Sequence, residues 1–597
     1  MSRAAPVKSA CLAIALALCS HVGAADMGKV LRASFPIAET GFDPQAAGDA
    51  YSNYVNRHIF DALYTYDYLA RPYKLVPNTA VAMPDISPDG KTWTIRIKPG
   101  IYFADDPAFK GKKRELTAAD YAFAWKRVLD PKMRANAFQT FDGKFAGADA
   151  LVEAAKKTGK FDYDAPLEGL QAIDRYTLRL KLNYPSYELL TDLTTPATAA
   201  VAREVVAAYG DESTWVMANP VGTGPYRLAQ WRRGQKIVLE ANPSYREVFY
   251  PDSSDPADRA ILAKMRGRKL PIVGRVEISV IDESNPRLLA FEGRELDYLE
   301  VPIDLIWNVL DPGNKLKARF VQAGVTMGRG TQPAVNYTFF NMEDPVVGGY
   351  TNDKIALRRA VAMAYNTEEE IRIVRQGQGE PATQPIPPPV TGHDPKFSGF
   401  IKYDPAGAKA LLDKFGYVDR DGDGWRDLPD GRPLVLNIAS PPSALQRQYD
   451  ELWKKSMDAV GLRIDFVKQK WPDLLKMARL GQLQMWTLGN ISITPEGFQF
   501  LGLLYGPHSG FSNFSRFNLP EFNRLYDQAR QLPDTPERTQ LFHRMSKLVA
   551  AYAPWRLDAF RYETVIVQPW VLGYKYNVYY QHPWPYLDID LKRKAAK

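Results

Sequence analysis

Two periodicities alternate along the 597 residues from one end to the other. Trp93-Thr94-Ile95-Arg96-Ile97-Lys98 alternates with a period of two between Asp89-Gly90 and Pro99-Gly100, which predicts a strand bounded by turns. Tyr176–Leu182 repeats the pattern and stops before Pro185; Leu434–Ile438 predicts a further strand. Elsewhere the spacing becomes helical. Thr117-Ala118-Ala119-Asp120 reads as a capping box, followed by Tyr121, Ala124, Trp125 and Val128 on one face. Asp404 and Pro405 open a helix whose apolar face is Ala408, Leu411, Leu412 and Phe415, closed by Gly416. Asp534 and Glu537 are expected to cap another, carrying Phe542, Met545, Val549 and Tyr552. These stripes are core-packing faces. Together they predict a mixed α/β protein, in which Pro381–Pro389 is a surface connection.

The N-terminus changes this picture. Arg3 and Lys8 precede the apolar run Ala10–Leu18, and Val22-Gly23-Ala24 supplies small residues, which predicts a signal peptide over 1–24 and export to the periplasm. The run is about half the length of a membrane span. Cys11 and Cys19 both fall inside it, so the mature chain is expected to have no disulfide and no thiolate metal site. Leu16-Ala17-Leu18-Cys19 is similar to a lipoprotein box, but Leu18 stands where that box has a small residue, so acylation at Cys19 is the lesser alternative.

Roughly 570 mature residues exceed one core's natural size, so two or three structural units are expected. Removing Arg3 and Lys8 lowers the formal charge from +8 to +6. That excess is thinly spread, with clusters only at Lys110–Arg114 and Lys592–Lys597, and no nucleic-acid partner is expected. Catalytic signatures are missing. His58, His393, His508, His543 and His582 lack metal-ligand spacing, and Gly222-Thr223-Gly224 runs into Pro225 rather than a phosphate-binding helix. No enzymatic activity and no required cofactor are expected. One acidic loop has metal-like spacing: Asp419, Asp421, Asp423, Trp425 (through its carbonyl), Asp427 and Asp430 match the offsets of an EF-hand loop. The leading expectation is an Asp/Gly-rich turn into the Leu434–Ile438 strand, with a structural calcium as the lesser alternative.

Several segments, in order, resemble the family 5 extracellular solute-binding proteins, which include periplasmic dipeptide, oligopeptide and nickel receptors. They are Gly41-Phe42-Asp43-Pro44-Gln45, His58–Tyr64, Asp89–Arg96 with Pro99–Phe103, and Leu116–Asp120. Asn219–Tyr226, Asn242–Tyr245, Leu357–Ala360, Tyr403–Pro405 and Ala459–Leu462 follow. The resemblance implies a two-lobed type II periplasmic-binding-protein fold with a third unit inserted in the first lobe. Residues 25–65, 200–305 and 550–597 would form lobe I, 66–199 its inserted unit and 306–549 lobe II. It also implies a monomer that encloses a small-molecule or peptide ligand between lobes and delivers it to inner-membrane ABC permease subunits.

By family position the cleft is expected to bring Gly48, Asp49 and Tyr51 against Trp486, Asn490 and Ser492. In the family's peptide binders a late aspartate pairs with the ligand's α-ammonium. Here nothing from 487 to 494 is acidic, so the resemblance points to a ligand without an obligatory free amine. Two other readings share these features: a signalling or chaperone-like binding protein on the same scaffold, and a secreted hydrolase using a carboxylate pair.

Overall fold

The computed structural model describes residues 25–596, apart from 72, 134, 136, 211–214 and 493. The predicted signal peptide and both cysteines lie outside the described residues. Among those described, no helix is long and apolar enough to cross a membrane.

The first lobe is built on a four-stranded sheet in the order Asp26–Phe35, Val273–Val280, Lys236–Ala241, Tyr226–Arg232. A second four-stranded sheet, antiparallel throughout, holds the predicted strands as Thr92–Arg96 and Thr177–Lys181, hydrogen-bonded to each other. Alternation works as expected there: Trp93, Ile95, Leu178 and Leu180 are buried. The capping box forms at Thr117, where Asp120 Oδ2 accepts from the Thr117 amide at 2.8 Å. Trp93, Trp125 and Phe145 pack in one continuous core with Leu31, Phe35 and Val276, so this unit is welded to the first lobe.

The second lobe surrounds a seven-stranded sheet containing two long strands, Thr326–Phe340 and Trp555–Val567. One face packs Tyr337, Phe339, Trp486 and Leu488 against the helix Pro536–Tyr552; the other packs Phe340, Leu436, Ile438 and Met485 against Asn352–Ala364 and Ala444–Asp458. The long strands cross between lobes. Thr326–Thr331 pairs with Tyr562–Val567, whose last three residues pair with Tyr298–Glu300; Val335–Phe339 pairs with Trp555–Phe560, and Ala334–Phe340 with Met485–Ile491. The register slips between Thr331 and Val335, where Pro333 has no N–H to donate.

This crossing moves the expected lobe boundaries. Ile306, Val309, Phe320 and Val325 share a core with Leu288, Leu299 and Ile566, so first-lobe packing runs past 305. Trp555, Leu557 and Phe560 belong to the second lobe's core, so the return falls inside a strand and not at 550. The helix over 536–552 is capped by Thr535, whose hydroxyl accepts from Arg538 N at 3.4 Å. Asp534, the expected cap, instead pairs with the Arg538 guanidinium at 2.9 Å.

Candidate functional site: the cleft between the lobes

The lobes are closed on each other. Arg530 of the second lobe lies over the Tyr184 ring of the inserted unit, 4.4 Å from its centroid, and the Tyr579 hydroxyl donates to the Pro389 carbonyl. Behind these contacts the helix Ala50–Ile59 presents Tyr51, Tyr54 and Arg57 at three-residue spacing, one face of a helix. Tyr51 packs on Phe35 with centroids 5.0 Å apart, Tyr54 on His582 at 4.6 Å, and Arg57 Nη1 donates to the Tyr579 carbonyl at 2.7 Å.

Charged groups converge near Tyr51 from segments far apart in sequence. Arg287 comes from the helix Ser284–Glu292, Glu300 from the strand Tyr298–Glu300, and Arg561 and Glu563 from the crossing strand Trp555–Val567. Asn336 and Gly489 are register partners on neighbouring strands. A Cβ on Gly489 would lie 3.1 Å from Asn336 Nδ2 and 3.5 Å from Arg561 Nη1, which puts the three on one face.

Burial raises the Glu300 carboxyl pKa against the opposing pull of Arg561 and Arg287. Yet solvent reaches both Glu300 and Gly489. Burial, then Glu300, pushes Glu563 up to about 8, although Gln332 Nε2 donates to it at 2.9 Å. Burial likewise raises the Tyr51 hydroxyl, and Glu300 adds to the shift. Beside Arg57, Tyr66 and Tyr579 the first lobe also contains a cavity of 370 Å³, within the range of small-molecule sites.

Of the residues expected to line the cleft, Tyr51 lies close enough to Glu300, Arg287 and Arg561 for their charges to act on its hydroxyl. Asp49 instead caps the helix: its Oδ1 accepts from Ser52 N at 2.8 Å and its Oδ2 from Thr40 Oγ1 at 2.5 Å. Gly48 is an exposed residue of the preceding loop. Trp486 is corrected outright. It is 1% exposed and packs on Trp471, with centroids 4.7 Å apart, on the sheet face that forms the second lobe's core. Strand alternation puts Asn490, opposite Val335, on that same face, away from Arg561. Ser492 is buried in a turn, its hydroxyl donating to the Thr494 carbonyl at 2.5 Å. Glu496 is held by Arg538 at 3.4 Å, and burial pushes its carboxyl up to about 7.

Arg287, Glu300, Arg561 and Glu563 were missing from the sequence reading. Arg561 and Glu563 leave a trace, as charges two apart in the otherwise apolar second half of Trp555–Val567. Arg287 leaves none.

The acidic loop gathers only half of its expected set. Asp419, Asp421 and Asp423 bring carboxylate oxygens within 4.8 Å of one another, all exposed. Asp427 turns inward to accept from Arg420 N at 2.9 Å, and Asp430 pairs with Arg432 at 2.7 Å. Trp425 packs its ring near Arg463, which also pairs with Asp423 at 2.7 Å. The Leu428–Arg432 turn, in which Leu428 N donates to the Arg432 carbonyl at 2.8 Å, holds Asp430 apart from these three.

With this geometry in place, comparison with known proteins fixes the family. Residues 74–512 match the bacterial extracellular solute-binding proteins, family 5, and the chain belongs to that family. It is 24% identical over 543 residues, 88% of each chain, to di/tripeptide-binding protein 2 of Pseudomonas aeruginosa. It is 25% identical over 498 residues, 82% of this chain and 80% of the other, to heme-binding protein A of Haemophilus influenzae. Among solved structures, the periplasmic binding protein DppA of Helicobacter pylori in complex with the peptide STSA superposes with a TM-score of 0.73 at 21% identity, covering 94% of this chain and 98% of that one. Relatives of nearly equal identity thus carry different ligands in their names, and identity alone does not select the ligand.

Proposed function

We propose that this protein is the periplasmic solute-binding receptor of an ABC-type importer, enclosing a peptide or peptide-like organic solute between its lobes and delivering it to membrane permease subunits. One observation carries the reading: residues of both lobes and of the strand that crosses between them meet where the lobes close on each other. Tyr51, Arg287 and Glu300 stand on one side, Asn336 and Gly489 on the other, with Arg561 between. Two crossing strands suit hinge closure around a ligand. The peptide-binding names among the relatives support the solute class, and export fits the predicted leader.

The solute needs no free α-amine. Asp49 is spent on a helix cap and Glu496 on Arg538, so neither is free to take an ammonium. Glu300 is flanked by two arginines, which already compensate its charge. Calorimetry on free tripeptides and their N-acetylated forms should give affinities within about threefold of each other. A loss of about 2 kcal/mol on acetylation, the scale of a charged hydrogen bond removed, would contradict this and make the protein an ordinary free-amine peptide receptor.

A further inference from the structure

We infer that Arg530 and Tyr184 form a latch that ties the inserted unit of the first lobe to the second lobe and favours the closed protein. The inference concerns lobe closure, goes beyond the receptor reading and holds for any solute.

The two halves of the latch are built separately, each on its own lobe. Arg530 follows the helix Pro520–Ala529. Its Nη2 pairs with Asp527 Oδ1 at 2.8 Å, and its guanidinium lies 5.9 Å from the centroid of the Tyr505 ring. Tyr505 is fixed in turn: its hydroxyl donates to Asp527 at 2.8 Å, and its ring stacks on Tyr526 with centroids 4.3 Å apart. Asp527 satisfies only part of the guanidinium, because the Nε is buried with no hydrogen-bond partner among the described residues.

Tyr184 stands in the loop after the strand Thr177–Lys181. The residues before it are tied down: Leu182 N donates to the Lys91 carbonyl and Asn183 N to the Lys144 carbonyl, both at 2.8 Å. Pro185 follows, which disfavours helical backbone at Tyr184. A Cβ on Gly90 would lie 3.0 Å from Pro185, so the Asp89-Gly90 turn packs against this loop. Two preformed halves lose little conformational freedom when they meet.

Where they meet, Arg530 lies 4.4 Å from the centroid of the Tyr184 ring. A guanidinium over an aromatic face is attracted by the ring quadrupole, more strongly as water is excluded, and the Arg530 side chain is only 25% exposed. The ring makes this contact. Among the described residues the Tyr184 hydroxyl makes no hydrogen bond. The inserted unit shares one core with the first lobe, so a pull on Tyr184 is a pull on that lobe. Neither residue is among those that converge near Tyr51, so the latch adds to closure without selecting the solute. Because apparent affinity scales with the fraction of binding-competent protein, such a contact tunes retention from outside the cleft.

The mature chain is expected to have no cysteine, so a pair of dyes can be placed cleanly. Lys157→Cys on the inserted unit and Glu537→Cys on the second lobe, both at exposed positions, carry the donor and the acceptor. Single-molecule energy transfer without added solute then gives the ratio of closed to open molecules. Tyr184→Leu should lower that ratio about fivefold, the scale of a partly desolvated cation–π pair. Tyr184→Phe, which keeps the ring, should leave it unchanged. In an Arg530→Gln background Tyr184→Leu should have no further effect, because the two residues act as a pair. Unfolding curves confirm that each variant is folded; should Tyr184→Leu fail, Arg530→Gln alone must lower the ratio by at least the same factor. A ratio that Tyr184→Leu leaves unchanged, one that Tyr184→Phe lowers equally, or a wild type without closed molecules would overturn the inference.

Discussion

Replacing Arg127 by Met should lower the free energy of unfolding by about 3–5 kcal/mol, because it leaves the Asp43 carboxylate buried without its counter-charge. The pair is among the most enclosed in the molecule. Arg127 is 0% and Asp43 2% exposed, with contacts of 2.5 Å from Nη2 to Oδ2 and 3.2 Å from Nη1 to Oδ1. After the substitution the carboxylate keeps, among the described residues, the Gln45 amide at 3.1 Å. The second acceptor of Arg127, Gln45 Oε1, loses its donor too. Gln45 in turn reaches the carbonyls of Ala197 and Ala199, so the substitution strikes the joint between the first lobe and its inserted unit. Asp43-Pro44-Gln45 thus has a structural task. Urea unfolding followed by tryptophan fluorescence measures the effect, and a loss below about 1 kcal/mol would show the pair to be dispensable.

Gly222→Ala should cost about 3 kcal/mol and weaken solute binding as well. Gly222 and Gly224 lie against the end of the helix Ala50–Ile59. A Cβ on Gly222 would sit 2.0 Å from the Ile59 carbonyl oxygen, and one on Gly224 2.6 Å from that of His58. Both obstacles are backbone, so the helix end must move. That end is anchored by Gly224 N donating to Ile59 O at 2.8 Å, and Gly222 O accepts from Ala104 N at 2.9 Å. Because the same helix carries Tyr51, Tyr54 and Arg57, displacement there propagates into the cleft. Unfolding curves and solute titrations of the variant, run in parallel, should both shift. Unchanged curves would mean that the loop yields and the helix does not. The resemblance of Gly222-Thr223-Gly224 to a nucleotide loop is therefore accidental: the glycines admit a helix terminus, not a phosphate.

What could be read from the sequence divides along physical lines. Local signals translated directly. Thr117 and Asp120 form their capping box, Asp404 caps the next predicted helix through Gly407 N at 2.8 Å, and Gly416 adopts a φ of +77°. Each depends only on residues a few positions apart. Misreadings arose where neighbours compete or where tertiary structure decides. Thr535 displaced Asp534 as a cap because Asp534 had a better partner in Arg538. Trp486 suits a ligand-stacking position and a core position equally well, and only sheet parity against Phe339 assigns it to the core. The lobe boundaries fall inside two continuous strands, where composition does not change. Arg287, Glu300 and Arg561 are joined by topology alone, from three segments that no spacing rule connects.

The most direct test of this account is a crystal structure of the protein purified under native conditions from the bacterium that makes it, with its solute retained. Closed lobes and density for an organic solute between them are the expected result. That solute should touch residues of both lobes, Tyr51 of the helix Ala50–Ile59 among them. A retained solute seated outside the cleft would contradict it.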